Sequence, residues 1–301
     1  MKSIMKNNIN RPLMEKYRYA LVILLLVLVF LFAACQETAW YKKVLDYEKL
    51  AKYDESTQTI AFIDTGISKE LEEDFNIIDK YNALDDTNDV DDDNGHGTRV
   101  MSVACATGSH DVSGLSPNAS VIVIKAADKD GRMNFQSLYN ALSFARNKKV
   151  SVVNISLGGY KKSKNVEKLI RKMYQEGITV VAASGDYSQK DILFPASLSP
   201  YVISVAALET RTTLWENSNI DKTLVCTFPG VDIETLDLEG NVALETGTSE
   251  ATALASAYVA KLKGEYFANN GKSMKNDKVI NSMKRLNILE HHNINFLEVL
   301  Q

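Results

Sequence analysis

The chain has 301 residues, 45% of them hydrophobic and 24% charged. That composition excludes a collagen-like, low-complexity or largely disordered protein, and three cysteines exclude a disulfide scaffold. A net charge of −4 leaves no electrostatic footprint for nucleic acid, so no nucleic-acid partner is expected. Five of the 34 basic residues but only one of the 38 acidic residues lie in residues 1–34, which leaves 29 basic against 37 acidic residues in the rest. An acidic body suits a cationic substrate better than an anionic one.

Lys2, Lys6, Arg11, Lys16 and Arg18 precede Ala20–Ala34, an unbroken apolar run of fifteen residues. A membrane-spanning helix needs about 20, so the run reads as the core of a secretory signal. It ends Leu31-Phe32-Ala33-Ala34-Cys35, which resembles the lipobox of bacterial lipoproteins, with Phe32 where Leu is usual. The resemblance implies that Cys35 is lipidated and becomes the new N-terminus. The competing reading is an uncleaved anchor helix with Cys35 incidental. Both place the body at the outer face of the cytoplasmic membrane, because the basic residues stay inside. Residues 36–57 are polar and mildly helical, and they read as a stalk. The expected division is therefore a signal over 1–34, a lipidated cysteine and stalk over 35–57, and one domain over 58–301.

From Gln58 onward, short apolar runs alternate with amphipathic segments. Thr59–Ile63, Val121–Lys125, Val150–Ile155, Thr179–Ala183 and Tyr201–Ala206 are rich in Val and Ile and apolar on both faces, the signature of buried parallel strands. Phe135, Leu138, Tyr139 and Leu142 fall at i, i+3, i+4 and i+7, and Val166, Leu169, Ile170 and Met173 repeat that helical spacing. Alternation of this kind predicts an α/β fold, a mostly parallel sheet covered by helices on both faces. Chemistry in such folds sits at the carboxyl ends of the strands. Cys105 and Cys226 lie in apolar stretches and are expected as buried free thiols.

Three segments carry reactive residues at such places. The first strand ends Ile63-Asp64-Thr65-Gly66. Asn94-Gly95-His96-Gly97-Thr98 leaves an imidazole unshielded at a helix start. Gly247-Thr248-Ser249-Glu250-Ala251 places a serine at the opening of an Ala-rich helix. Singly, the aspartate is a turn residue, the histidine a structural one and the serine a helix cap. Together they supply a nucleophile, a base to take its proton, and a carboxylate to fix the base's tautomer. His110 lies in a polar loop, and His291 and His292 in a C-terminal stretch whose sequence reads as solvated.

These blocks resemble the three signature blocks of the subtilisin-like serine peptidases, the subtilases, whose Asp, His, Ser chain order is a property of the family. Val153-Asn154-Ile155-Ser156-Leu157-Gly158-Gly159 and Val181-Ala182-Ala183-Ser184-Gly185-Asp186 are similar to two further blocks of the family. The resemblance implies a three-layer subtilisin-like fold, with Ser249 as nucleophile, His96 as general base and Asp64 as its orienting carboxylate. It implies that Ser156, Leu157 and Gly158 pair with a peptide substrate, that Asp130–Arg132 flank its other edge, and that Ala183, Ser184 and Gly185 wall the specificity pocket. Tyr187–Leu193 would line the pocket's deep part, where Leu193 narrows it or Asp191 charges it. No organic cofactor is required.

Asp186 departs from the family, which usually has Asn there to donate a hydrogen bond to the developing oxyanion. An ionised carboxylate only accepts. Three readings follow: a protonated Asp186 that donates, with activity favoured at mildly acidic pH; an enzyme working through the Ser249 N–H alone; or a catalytically silent peptide-binding protein. Glu250 stands where the family often has Met, and Ala253 where it often has Pro. Only residues 36–57 separate Cys35 from the first strand, less than the folding propeptide of many secreted subtilases. Compact, tethered subtilases of this kind resemble lanthipeptide leader peptidases, which implies an exported precursor as substrate and a peptide exporter as partner. The competing expectation is a broad-specificity surface protease. The acidic run Asp85–Asp93 reads as a solvated loop, a negative rim selecting basic substrates, or a calcium site. Family calcium is often bound after the histidine helix, but Thr107–Gly114 lacks a matching ligand set, so structural calcium stays unassigned and no metal ligand is named.

Overall fold

The computed structural model describes residues 40–287. Cys35, His291 and His292 lie outside the described residues. Seven strands form one sheet: β1 (Thr59–Asp64), β2 (Ile77–Asn82), β3 (Ser120–Lys125), β4 (Val152–Ile155), β5 (Thr179–Ala183), β6 (Val202–Leu208) and β7 (Cys226–Pro229). Their order is β2-β3-β1-β4-β5-β6-β7, and every neighbouring pair is parallel. All five runs read as strands from their apolar character are strands. β2 escaped because Ile77-Ile78-Asp79-Lys80-Tyr81-Asn82 is an edge strand of mixed polarity, and only Asn82 in it is buried. A short antiparallel pair, β8 (Ile233–Leu236) and β9 (Val242–Glu245), stands apart from the sheet.

Strand side chains alternate between two layers. Ala61, Ile63, Ile122, Ile124, Val153, Ile155, Val180 and Ala182 face one layer, where they pack with Leu138, Ala141, Leu142 and Ala145 of α4 (Phe135–Asn147). Val166, Leu169, Ile170 and Met173 of α5 (Lys164–Gln175) join the same cluster. In α4 the buried stripe is turned from the expected one: Phe135 and Tyr139 are exposed, and Ala141 and Ala145 take their place against the sheet. The opposite face is covered by α3 (His96–Cys105) and α6 (Thr248–Asn270). α6 is buried from Thr248 to Gly264, so it shows no amphipathic stripe; small side chains let it lie close on the sheet. Asn154, the one polar residue of β4, accepts from Ser256 of α6 at 2.8 Å. Three layers result, as expected.

The expected stalk is corrected over its second part. From Tyr41 the chain belongs to the same compact unit as the sheet. α1 (Trp40–Leu45) and α2 (Tyr47–Leu50) bury Tyr41, Leu45 and Leu50. Glu55 and Lys261 of α6 form a fully buried ion pair at 2.6 Å. Gly264 is where this segment crosses α6: a Cβ there would lie 2.1 Å from the Asp54 carbonyl oxygen. The sequence hid this packing because three apolar residues among many charges make a weak stripe. Cys105 and Cys226 are buried and free, and among the described residues no helix is long and apolar enough to cross a membrane.

β1 lies between β3 and β4, where the strand order reverses. The crevice beyond the carboxyl end of such a strand is the common ligand site of open α/β sheets. That strand ends in Asp64.

Candidate active site

Asp64, His96 and Ser249 come from the end of β1, the first residue of α3 and the second residue of α6. His96 Nδ1 lies 2.6 Å from Asp64 Oδ1, and His96 Nε2 lies 3.2 Å from Ser249 Oγ. Asp64 Oδ1 also accepts the Thr65 N–H at 2.8 Å. Gly97 makes this approach possible, since a Cβ there would meet Gly66 O at 2.4 Å. Its N–H donates to Thr65 Oγ1 at 2.8 Å, which pins α3 to the strand end. The Ser249 hydroxyl also reaches Ser156 O, at 3.0 Å. Its single proton therefore goes either to that carbonyl or to the imidazole.

Burial by itself would pull His96 down. The Asp64 carboxylate overrides it, aided by the Glu250 charge and opposed by Arg99, and the imidazole is pushed up to about 9. Glu250, in the first turn of α6 and only 4% exposed, is pushed up to about 7 by burial.

Asp186 is exposed. Its Oδ1 accepts the Thr248 N–H at 2.9 Å and the Thr248 hydroxyl at 2.6 Å. Asp186 thus caps the amino end of α6 from another loop, a place that favours negative charge. Thr248 Oγ1 in turn accepts the Gly185 N–H at 3.2 Å. The Ser156 hydroxyl donates to Ser249 O at 3.1 Å and accepts from Asn154 Nδ2 at 3.0 Å. The structure therefore gathers Ser156, Gly185 and Asp186 around Thr248-Ser249. Ala183 ends β5, and Ser184 O accepts the Leu193 N–H at 3.0 Å. Leu157, Gly158 and Gly131 line a cavity of about 610 Å³ with Phe135, Leu138 and Phe194.

The acidic run divides among several roles. Asp92 is buried and caps α3: Oδ1 accepts the N–H groups of Asn94 and Gly95, and Oδ2 accepts the N–H and hydroxyl of Thr98. Although burial opposes it, these bonds hold the Asp92 carboxyl below the usual range. Asp93 pairs with Lys125, and Asp89 and Asp91 with Lys69. Sequence reasoning treated the run as one feature. The signal for Asp92 was its place four residues before His96 at a helix start. Asn154 and Thr248 were also missed as site residues; a polar residue inside the apolar Val152–Ile155 run was the available sign. Asp74, beside the loop after α3, accepts the Thr107 hydroxyl at 2.7 Å and the Ser109 N–H at 3.1 Å. Among the described residues no group of three or more His, Cys, Asp or Glu side chains is arranged to hold a metal.

A parallel α/β sheet with an Asp–His–Ser array at its switch point defines the class. The sequence model of the subtilase family matches residues 55–293, and the chain belongs to that family. It is 34% identical over 206 residues to the minor extracellular protease Epr of Bacillus subtilis, covering 68% of this chain and 32% of that one. It is 31% identical to the cell wall-associated protease of the same organism, covering 75% and 25%, and 30% identical to subtilisin BL of Lederbergia lenta, covering 68% and 75%. The matched region thus spans about a third or less of the first two relatives.

Proposed function

We propose that this chain is a serine endopeptidase that hydrolyses peptide bonds through an acyl-enzyme. The observation that carries the reading is the continuous array from Asp64 through His96 to Ser249 at 2.6 and 3.2 Å. Ser249 attacks the carbonyl carbon of the scissile bond. His96 Nε2 takes its proton and gives it to the leaving amine, and Asp64 holds the tautomer and stabilises the imidazolium. Water then releases the acyl group by the same proton path in reverse. The Ser249 N–H at the amino end of α6 serves the oxyanion, and the peptide lies along Ser156–Gly158. No organic cofactor enters this chemistry.

The second reading, a silent peptide-binding protein, is favoured by Asp186, whose carboxylate stands where a donor belongs. A fluorophosphonate serine probe separates the two. Labelling that disappears in Ser249→Ala supports the peptidase, whereas absence of labelling in the native chain between pH 6 and 10 overturns it.

The chain's place, in this reading, is the outer face of the bacterial cytoplasmic membrane, held by a lipid on Cys35. The basic segment and apolar run before Cys35 support it, as do relatives named as extracellular and cell wall-associated. Incorporation of labelled palmitate that is lost in Cys35→Ser tests the anchor. The substrate proposed is the leader of an exported lanthipeptide-type precursor, delivered by a peptide exporter. Degradation of unfolded casein would instead indicate a broad surface protease.

A further inference from the structure

The family resemblance places the substrate residue before the scissile bond between two segments, 156–158 and 183–185. Both are tied to the nucleophile. Ser156 and Ser249 exchange side chain to backbone bonds at 3.0 and 3.1 Å, and Gly185 N–H reaches Thr248 Oγ1. The slot between the segments therefore opens beside Ser249. Its floor is the pair Leu193-Phe194. Leu193 N–H donates to Ser184 O at 3.0 Å on one wall. Phe194 exchanges backbone bonds with Gly159 at 2.8 and 3.0 Å on the other.

The Leu193 side chain rises from this floor into the slot. A Cβ on Gly185 would lie 2.7 Å from Leu193 Cγ and 2.8 Å from its Cδ1. A Cβ on Gly158 would lie 3.0 Å from Leu193 Cβ and 3.4 Å from its Cδ1. The isobutyl group thus touches both walls at the two positions where they carry no side chain, and it is only 6% exposed. Asp191 does not share the slot: it is exposed, and its carbonyl accepts from Asn219 Nδ2 at 3.1 Å. The floor is apolar and filled. Interiors packed to this density do not admit another large side chain without displacing one already present.

We propose that Leu193 occupies the pocket for the residue preceding the scissile bond, so that cleavage follows glycine, alanine or serine and excludes aromatic or long aliphatic residues. This rests on the serine-peptidase reading above. Substrate recognition then moves upstream, where the roomy apolar cavity beside Leu157 and Phe135 lies.

The test uses the full chain and two peptidyl diphenyl phosphonates, which modify an active serine and differ only in an alanine or phenylalanine analogue at phosphorus. A fluorophosphonate without a residue side chain reports Ser249 reactivity separately. The alanine reagent should react roughly tenfold or more faster than the phenylalanine one, the scale of pocket discrimination. Leu193→Gly and the milder Leu193→Ala should raise the phenylalanine-to-alanine ratio by roughly tenfold or more. Equal rates in the native chain, or an unchanged ratio in both variants, overturn the proposal while fluorophosphonate labelling keeps the peptidase reading. Fluorophosphonate labelling without reaction of either peptidyl reagent does the same. Failure of all three reagents overturns the peptidase reading, and the proposal with it.

Discussion

Replacement of Glu250 by Gln removes one of two carboxylates that act on His96. Asp64 acts on the imidazole from the end of β1 and Glu250 from α6, while Arg99 of α3 opposes them. Together they push the imidazole up to about 9, and Glu250, pushed up to about 7, becomes charged on the way there. Attack by Ser249 requires a neutral Nε2. Below that titration the imidazolium donates to Ser249 Oγ, and the hydroxyl proton rests on Ser156 O, 3.0 Å away. With the base titrating near 9, about one molecule in a hundred is competent at pH 7, and kcat/KM should rise about tenfold per pH unit toward pH 9. Glu250→Gln should move the profile down, because the imidazolium loses a stabilising charge. Each unit of that displacement raises kcat/KM at pH 7 about tenfold. The assay is kcat/KM from pH 6 to 10 on a peptide with alanine before the scissile bond. A native profile already flat at pH 7 refutes the reasoning, as does a Glu250→Gln profile that coincides with it or moves up. The expected rise with pH is opposite in direction to the acid preference that a protonated Asp186 would give.

Asp186→Asn should keep the contact to the Thr248 N–H through its amide oxygen and place an amide donor where Oδ2 now lies. The expected gain in kcat is up to about 10²–10³-fold, the range known for such a donor in subtilisin, a relative; an unchanged or lower kcat removes the oxyanion explanation. Asp92→Ala should destabilise the fold by roughly 2–3 kcal/mol through loss of the α3 cap and its buried bonds. Because the folded carboxyl is held low, that loss is full above the unfolded value near 3.8 and shrinks as pH falls below it, which urea titrations at pH 3 and 7 will show. Glu55→Gln should cost about 3–5 kcal/mol, because it removes the carboxylate paired with Lys261 in the interior; a melting temperature within two degrees of native, roughly under 1 kcal/mol, would contradict that.

Local pattern determined much of this protein. Runs such as Thr59–Ile63 and Thr179–Ala183 could be read as buried strands because both their faces are apolar, a property carried by consecutive residues. Asp64, His96 and Ser249 were legible because each stands beside a turn glycine or at a helix start. Tertiary structure decided what depends on chains meeting from far apart in sequence. Asp92 and Asp93 are neighbours, yet one is a buried cap and the other an exposed partner of Lys125, since the turn into α3 points them differently. Residues 41–57 look solvated until α6 lies across them and the Glu55–Lys261 pair forms. Asp186 resembles an oxyanion residue in sequence but is met by Thr248, 62 positions away. Whether Leu193 or Asp191 faced the slot between 156–158 and 183–185 was open from the sequence, because side-chain direction in an irregular segment has no period to read; in the structure the Leu193 side chain lies against Gly158 and Gly185, and Asp191 is exposed.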